Sequence, residues 1–309
     1  MGGRQGRLEP CRKASSINEP AMKAVDVSDP CLDPHACARI SLMIRPAAVA
    51  GRFYTADPRE LARQIEELCS KGEEKIAARG CVVPHAGYMY SGPVAGAVYS
   101  SLQIPAKCIL VGPRHFPRGE KMAILTEGSW QTPFGEAQID SALAAELKRA
   151  CPLLREDAIA HEREHSLEVQ LPFLQQLGKD VRFVPVLVGT DLYSDLECLG
   201  NAIAQVVEKQ REPVLLIASS DMNHYENDVL TRVKDKLAID KILTLDARGL
   251  YRTVRSEGIT MCGYAATVAV LVALQKLGAK QAQLIRYATS GDINGDREEV
   301  VGYAGIILR

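Results

Sequence analysis

The sequence lacks an excess of charge of either sign, a long apolar run and a dense set of aromatic residues. Lys and Arg number 37 against 38 Asp and Glu, so the formal net charge of -1 gives no overall attraction to nucleic acid or to an anionic membrane. The longest nearly uninterrupted apolar stretch, residues 262–274, is shorter than the roughly 20 residues of a membrane-spanning helix and predicts a buried helix instead. We therefore expect a globular protein whose partners are neither nucleic acids nor membranes.

The cysteines favour a reducing compartment. There are nine of them, an odd number, and they are scattered without the close spacing of a disulfide framework. The first residues carry charge but are not followed by the run of about 7–15 apolar residues that a secretory signal requires. We predict a cytoplasmic protein.

Regular structure is predicted to begin near Met43. Residues 1–42 are punctuated by proline and show no lasting hydrophobic period, which predicts a flexible leader outside the folded protein. Translation could start at Met1 or at Met43. Residues 43–309 show neither an internal repeat nor a low-complexity tract, so we expect one domain there.

Within 43–309, apolar runs alternate with segments of helical periodicity. The runs, such as CILVG and VLLIAS, are continuous, which is typical of strands that are covered on both faces. The pattern predicts an α/β fold with a central mixed or largely parallel sheet flanked by helices. Besides a helix opening at Pro58, helices are expected over residues 141–150, 166–177, 195–208, 230–245 and 263–277.

Polar residues follow several of these apolar runs. His85, His115, Asp221 and His224 each come just after a run, and ligands in open α/β sheets bind outside the carboxyl ends of the strands. Cys262 comes at the start of a predicted helix, where a thiolate is stabilised. Two histidines and one cysteine would form a three-ligand site for Fe(II), Cu or Zn. The alternatives are histidines bonded to backbone carbonyls and a buried, apolar cysteine.

Residues 161–165 read HEREH, which matches the H-E-x-x-H pattern of zinc peptidases. In such enzymes the helix that carries the motif is packed into the domain, whereas Arg163 and Glu164 would put two charges on that turn and point it into solvent. Apolar positions begin only with Leu167, so we expect the helix to start near Ser166 as its N-cap. We predict that the protein is not a peptidase.

Nine segments resemble the Memo family, in the same order and with similar spacing: AGRFYTADP, VVPHAGYMYSG, LVGPRHF, EHSLEVQLPFLQ, FVPVLVG, ASSDMNHYE, TMCGYAA, LIRYATSGD and VGYAGI. That family includes the mediator of ErbB-driven cell motility and the prokaryotic AmmeMemoRadiSam system protein B. The resemblance covers residues 43–309. It implies a fold similar to that of the LigB-type class III extradiol dioxygenases.

The resemblance also implies a set of site residues. The family's metal-site positions fall on His85, His115 and Cys262. His165 and Glu168 of the EHSLE segment match another family motif and are expected to face the same cleft.

Around this metal site, three further residues are expected to act. Asp221 and His224 lie nearby, with His224 as general acid/base and Asp221 as its partner or as support for the metal ligands. Arg114 stands where relatives usually have a small polar residue, and it would suit an anionic ligand.

The implied chemistry is that of a metal-dependent oxidoreductase. Related dioxygenases hold Fe(II) with two histidines and a carboxylate, whereas here Cys262 takes the place of the carboxylate. A thiolate is itself oxidisable, so ring cleavage need not follow. We expect one bound transition metal, Fe(II) or Cu, with Zn as an alternative.

A function of another class stays open. The same cleft could serve a non-catalytic binding module for anionic or phosphotyrosine-type ligands, since family members are described as binding phosphotyrosine peptides. The ligand is expected to be a small molecule or a peptide. The family's grouping further implies a pathway link to a radical SAM protein and an AMMECR-type protein.

Overall fold

The computed structural model describes residue 2, residues 44–70 and residues 74–309. Apart from Gly2, the expected leader and the alternative start at Met43 lie outside the described residues. The leader and the single domain over 43–309 stay predictions.

The described residues form twelve strands. They are β1 (Ile44–Arg45), β2 (Gly80–Val83), β3 (Lys107–Pro113), β4 (Met122–Ile124), β5 (Ser129–Thr132), β6 (Gly135–Gln138), β7 (Arg155–Glu156), β8 (Arg182–Val188), β9 (Val214–Ser219), β10 (His224–Glu226), β11 (Ala282–Thr289) and β12 (Val300–Leu308).

The helices alternate with these strands. They are α1 (Pro58–Leu68), α2 (Tyr88–Ser101), α3 (Ser141–Ala150), α4 (Ala158–Glu162), α5 (Leu171–Leu177), α6 (Tyr193–Glu208), α7 (Asp228–Leu243), α8 (Ala247–Ser256), α9 (Tyr264–Lys276) and α10 (Gly291–Asn294), with a 3-10 turn at Glu168–Gln170.

A large mixed sheet forms the centre of the described structure. Its strand order is β10-β12-β2-β9-β3-β8-β4-β7, with β11 also paired to β12. The middle strands β2, β9, β3 and β8 run parallel, whereas β12 and β4 are antiparallel to their neighbours in that group. A smaller sheet has the order β1-β5-β6. Because the four middle strands run parallel, their carboxyl ends lie at one edge.

The predicted α/β fold with a mixed sheet flanked by helices is confirmed. Helix α3 has the expected bounds, and α6, α7 and α9 begin and end within two residues of expectation. Local chemistry explains where α1 begins, since Asp57 accepts hydrogen bonds from the Arg59 and Glu60 amides and Pro58 opens the first turn.

The longest apolar stretch of the sequence forms the helix α9. It is buried over residues 265–274 and packs on α6 and on the strands β3 and β9. This burial on every side accounts for a helix without a polar face. Among the described residues, no helix combines the length and the apolar character that crossing a membrane requires.

Candidate metal centre

Three polar residues occupy equivalent positions at the carboxyl edge of the parallel strands. His85 follows β2, His115 follows β3 and Asp221 follows β9, each two residues past the end of its strand. Since β9 lies between β2 and β3, the three residues come from adjacent strands. The sheet therefore brings together residues that are far apart in the sequence.

Cys262 reaches this edge from the connection between α8 and α9. The Asp221 amide donates to Cys262 Sγ at 3.3 Å, and the Gly263 amide donates to Ser220 Oγ at 3.0 Å. A side chain at Gly263 would overlap the carbonyl of Ser219 and the side chain of Ser220, so glycine is needed for this close approach. The cysteine is thereby tied to the end of β9.

His85, His115 and Cys262 form one cluster of possible ligands. One donor atom from each lies within 4.8 Å of the other two, and His85 Nε2 is 3.2 Å from Cys262 Sγ. His85 is fully buried, Cys262 is half-buried and His115 is exposed. Such spacing would let a single ion bind all three atoms.

Hydrogen bonds fix which nitrogen of His85 carries the proton. Ser219 Oγ donates to the carbonyl of Ser166 at 2.6 Å, so its lone pairs are left to accept from His85 Nδ1 at 2.9 Å. This assignment leaves the lone pair of His85 Nε2 directed toward Cys262. Burial, with a smaller contribution from His115, lowers the pKa of His85 well below its ordinary value, so the ring stays neutral.

His115 is held in the same way by Glu164. The carboxylate accepts from the His115 amide at 2.6 Å and from Nδ1 at 2.8 Å. Burial would raise the pKa of Glu164, but the hydrogen bond from His115 and the nearby imidazoles outweigh it and hold the pKa at about 2. An ionised Glu164 orients the ring so that Nε2 is the nitrogen His115 offers to an ion. Burial would lower the pKa of His115, but the hydrogen bond and the charge of Glu164 outweigh it and raise that pKa.

The sequence pattern predicts that Glu164 faces solvent, and this prediction is wrong. It is fully buried. Helix α4 ends at Glu162, so HEREH does not form one helix and the zinc-peptidase geometry is not present there. His161 is fully buried and packs edge-on against Trp130, 5.6 Å between ring centroids. His161 therefore belongs to α4, whereas His165 follows the end of that helix.

The expected helix over 166–177 also differs from the structure. A 3-10 turn and the helix α5 replace it, and Ser166 is not their N-cap. Instead, the Ser166 amide donates to Glu164 Oε1 at 2.9 Å and its hydroxyl to the Pro113 carbonyl at 3.2 Å. Ser166 thus helps Glu164 turn inward, which a local helix pattern does not show.

His165 lies beside the cluster. Its ring stacks on His115 with 4.7 Å between centroids and is 5.6 Å from the ring of His85. Burial lowers the pKa of His165 to about 4, and the neighbouring His85 adds to this shift. His115, Glu164 and His165 form a second group whose donor atoms lie within 4.8 Å of one another.

Asp221 and His224 border the cluster on the side of Cys262. Together with Cys262 they form a third group of possible ligands, in which one donor atom from each residue lies within 4.8 Å of the others. Asp221 accepts from the His85 amide at 2.7 Å, and burial raises its pKa. His224 donates from Nδ1 to the Thr260 carbonyl at 2.9 Å. Thr260 rather than Asp221 therefore orients His224.

The placement of Glu168 corrects the expectation that it faces the cleft. Its carboxylate is fully buried and forms an ion pair with Arg45 at 2.7 Å. It also accepts from the hydroxyl of Tyr54 and from the amides of Ala48 and Val49. All these partners belong to the first segment of the domain, so Glu168 anchors that segment.

Arg114 is engaged by its own loop. Its Nη1 donates to the carbonyls of Arg118 and Gly119, at 3.3 and 2.9 Å. Its side chain also packs over Gly189. These contacts assign Arg114 to holding residues 114–119, which follow the strand that carries His115.

Comparison with known proteins gives consistent matches over the described domain. A family model with the description "Memo-like protein" matches residues 45–307. A MEMO1 family protein of Methanopyrus kandleri is 41% identical over 281 residues, which cover 86% of this chain and 99% of the relative. A MEMO1 family protein of Sulfolobus acidocaldarius is 42% identical, with 85% and 99% covered.

One solved structure, of an uncharacterized protein from Escherichia coli K12, matches with a TM-score of 0.48 and 12% identity over 72% of this chain and 98% of that chain. A likeness at this level supports no argument about fold or function.

Proposed function

The chain belongs to the Memo-like protein family, and we propose that it binds one transition metal ion through His85, His115 and Cys262 in a redox-active centre. The observation that carries this proposal is the convergence of two imidazoles and one thiol on a space small enough for a single ion. Two nitrogens and one sulfur form a donor set that suits Fe(II), Cu or Zn.

The residues around the cluster fit a bound metal. Ser219 and Glu164 accept hydrogen bonds from Nδ1 of His85 and His115, so Nε2 is the nitrogen that each ring offers to an ion. A metal bound to His115 would replace any proton on that nitrogen. The half-buried Cys262 has a pKa well above its ordinary value, because burial and the charge of Asp221 disfavour the thiolate that was expected at the start of the helix. A cation would supply the missing counter-charge, so the site is suited to bind one.

The proposed reaction class is oxidation. A bound Fe(II) or Cu ion would supply one-electron chemistry that side chains lack. The implied relation to extradiol dioxygenases favours the same class, and the oxidisable Cys262 distinguishes this centre from their carboxylate-bound iron. His224, with Nδ1 held by Thr260, presents Nε2 to hold or release a proton beside the cluster, and Asp221 keeps the His85 backbone in place.

We propose that the protein works in a reducing compartment. A thiol ligand and the six free cysteines of the described residues would need a reducing compartment, which favours the cytoplasm. We also propose a pathway shared with a radical SAM protein and an AMMECR-type protein. The second candidate function, a non-catalytic binding module for anionic ligands, is favoured by three arginines in a cleft beside His165 that have no ion pair or hydrogen bond to any described residue.

Metal analysis of protein purified without oxygen tests the binding site. We expect close to one metal ion per chain in the parent protein and loss of most of it in Cys262→Ser. Cys198→Ser is the matched control, since Cys198 is a free, half-buried cysteine on α6. Full metal retention in both His85→Ala and His115→Ala would contradict the assignment.

An oxygen-consumption assay of the metal-loaded protein tests the redox part separately. Metal-dependent oxygen uptake that disappears in Cys262→Ser is the expected result. Metal binding without oxidation under any condition, together with tight binding of anionic peptides, would favour the binding module.

A further inference from the structure

A cleft of about 590 Å³ opens directly beside the candidate metal centre. His165 forms part of its wall, and the same ring stacks on His115. Two phenylalanines line it as well. Phe53 meets His165 edge-on with 4.8 Å between ring centroids, and Phe116 is 37% exposed. The cleft therefore has aromatic side chains in its wall and the size that small organic molecules occupy.

The mouth of this cleft is positively charged. Arg52, Arg118 and Arg163 line it against one acidic residue, Glu162. Within the part of the chain that the structure describes, none of the three guanidinium groups forms an ion pair or a hydrogen bond. Arg163 only lies over the ring of Phe116, 5.8 Å from its centroid. In a chain whose net charge is -1, three unpaired guanidiniums in one cleft are a local concentration of positive charge.

The remaining wall of the cleft is held by hydrogen bonds to a buried carboxylate. It consists of residues 46–49, which the buried carboxylate of Glu168 holds through the amides of Ala48 and Val49. The ion pair of Glu168 with Arg45 anchors the start of the same segment. One wall of the cleft is thus held in place by a buried carboxylate.

We propose that this cleft binds a small aromatic carboxylate and presents its ring to the centre of His85, His115 and Cys262. A guanidinium is planar and offers paired donors that match a carboxylate, whereas phenylalanine side chains pack on an aromatic ring. Oxidation of the bound ring would rest on the proposed metal-binding function, whereas binding of the aromatic carboxylate depends on the cleft alone.

Isothermal titration calorimetry with benzoate, benzamide and acetate tests the two halves of this recognition. Benzoate is expected to bind roughly tenfold more tightly than neutral benzamide, a difference of about 1.4 kcal/mol. It should also bind more tightly than acetate, which has the charge without the ring. Equal binding of benzoate and benzamide, or of benzoate and acetate, would overturn the proposal.

A pair of double variants locates the binding. Replacing Arg118 and Arg163 by Gln should weaken benzoate binding roughly tenfold or more. Replacing Arg63 and Arg211 by Gln removes the same charge from exposed positions outside the cleft and should leave binding unchanged. Equal weakening in both double variants would mean a general charge effect and would contradict the assignment. A phosphotyrosine peptide that binds where benzoate does not would assign the cleft to peptides and overturn it too.

Metal analysis of the same samples separates this proposal from the preceding one. Unchanged metal content in the Arg118/Arg163 double variant, with weakened benzoate binding, supports a ligand cleft distinct from the metal ligands. Metal binding without any effect of these arginines on benzoate refutes the cleft alone. Benzoate binding that depends on them in a protein that takes up no metal refutes the metal centre alone.

Discussion

Glu164 holds His115 at two points, accepting from its backbone amide at 2.6 Å and from its imidazole Nδ1 at 2.8 Å. The residue and its ring are therefore fixed by one buried carboxylate, 49 residues away in the sequence. This arrangement sets both the position of His115 and the nitrogen that it presents to the cluster.

Glu164→Gln should weaken metal binding while leaving the protein folded. Glutamine keeps one acceptor oxygen but puts an N–H group where the second oxygen was, so one of the two bonds to His115 is lost. We expect metal affinity to fall about 10- to 100-fold, measured by competition with a metal chelator.

Glu162→Gln is the matched control for that variant. Glu162 is the glutamate that a zinc peptidase would use as general base, but it ends α4. We expect unchanged metal content, melting temperature and activity. A selective loss of peptide hydrolysis in Glu162→Gln would reverse our prediction that the protein is not a peptidase.

Glu168→Gln should destabilise the domain. The change removes the counter-charge of Arg45, whose side chain is only 7% exposed, and breaking one partner of a buried ion pair costs about 3 kcal/mol or more. Urea unfolding measures the loss. Asp240→Asn, which breaks the exposed ion pair with Lys236, should cost less than about 1 kcal/mol. Similar losses in the two variants would show that Arg45 is solvated rather than buried.

Asp235 should make the stability depend on pH. It accepts from the Asn223 amide at 2.8 Å and the Tyr287 hydroxyl at 2.7 Å, and burial raises its pKa from 3.8 to about 7. The folded state therefore binds this proton more tightly than the unfolded state. Its stabilisation is fully present below about pH 4 and is lost as pH rises through about 7.

Unfolding of the parent protein and of Asp235→Asn between about pH 4 and pH 8 checks this sign. The free energy of unfolding of the parent should fall relative to that of the variant as pH rises. A difference that is constant across the range, or one that grows in favour of the parent at high pH, would show that Asp235 is ionised throughout.

His224→Ala should separate catalysis from structure. His224 is oriented by Thr260 and borders Cys262, but it is not one of the three proposed ligands. We expect an intact fold and full metal content with metal-dependent oxygen reduction strongly diminished. Tyr225→Phe, which changes only the exposed neighbouring hydroxyl, should keep the activity. Full turnover in His224→Ala would contradict the proposed role of His224 as general acid/base.

The sequence was informative about polar residues that directly follow the parallel strands. His85, His115 and Asp221 could be placed at one edge because each follows an apolar run, and parallel strands end on the same side. Cys262 could be added because it precedes a helix. The structure brings these residues together, although their role as ligands stays a prediction.

Long-range polar contacts were not visible in the sequence. Glu164 and Glu168 lie in one short segment, and neither a charge pattern nor a helical period indicates that both turn inward. Their partners, His115 and Arg45, are 49 and 123 residues away. The only local hint for Glu164 was its position next to His165, a residue that the sequence analysis had already assigned to the cleft.

The separation of Arg45 from Glu168 has a consequence for how the chain acquires its shape. During synthesis Arg45 leaves the ribosome 123 residues ahead of the carboxylate that it pairs with. The first strand can pair with β5 before then, but its ion pair cannot form until the segment around residue 168 has emerged, so this contact closes a long loop later in folding. The cleft beside His165, one wall of which is residues 46–49, is complete only after that step.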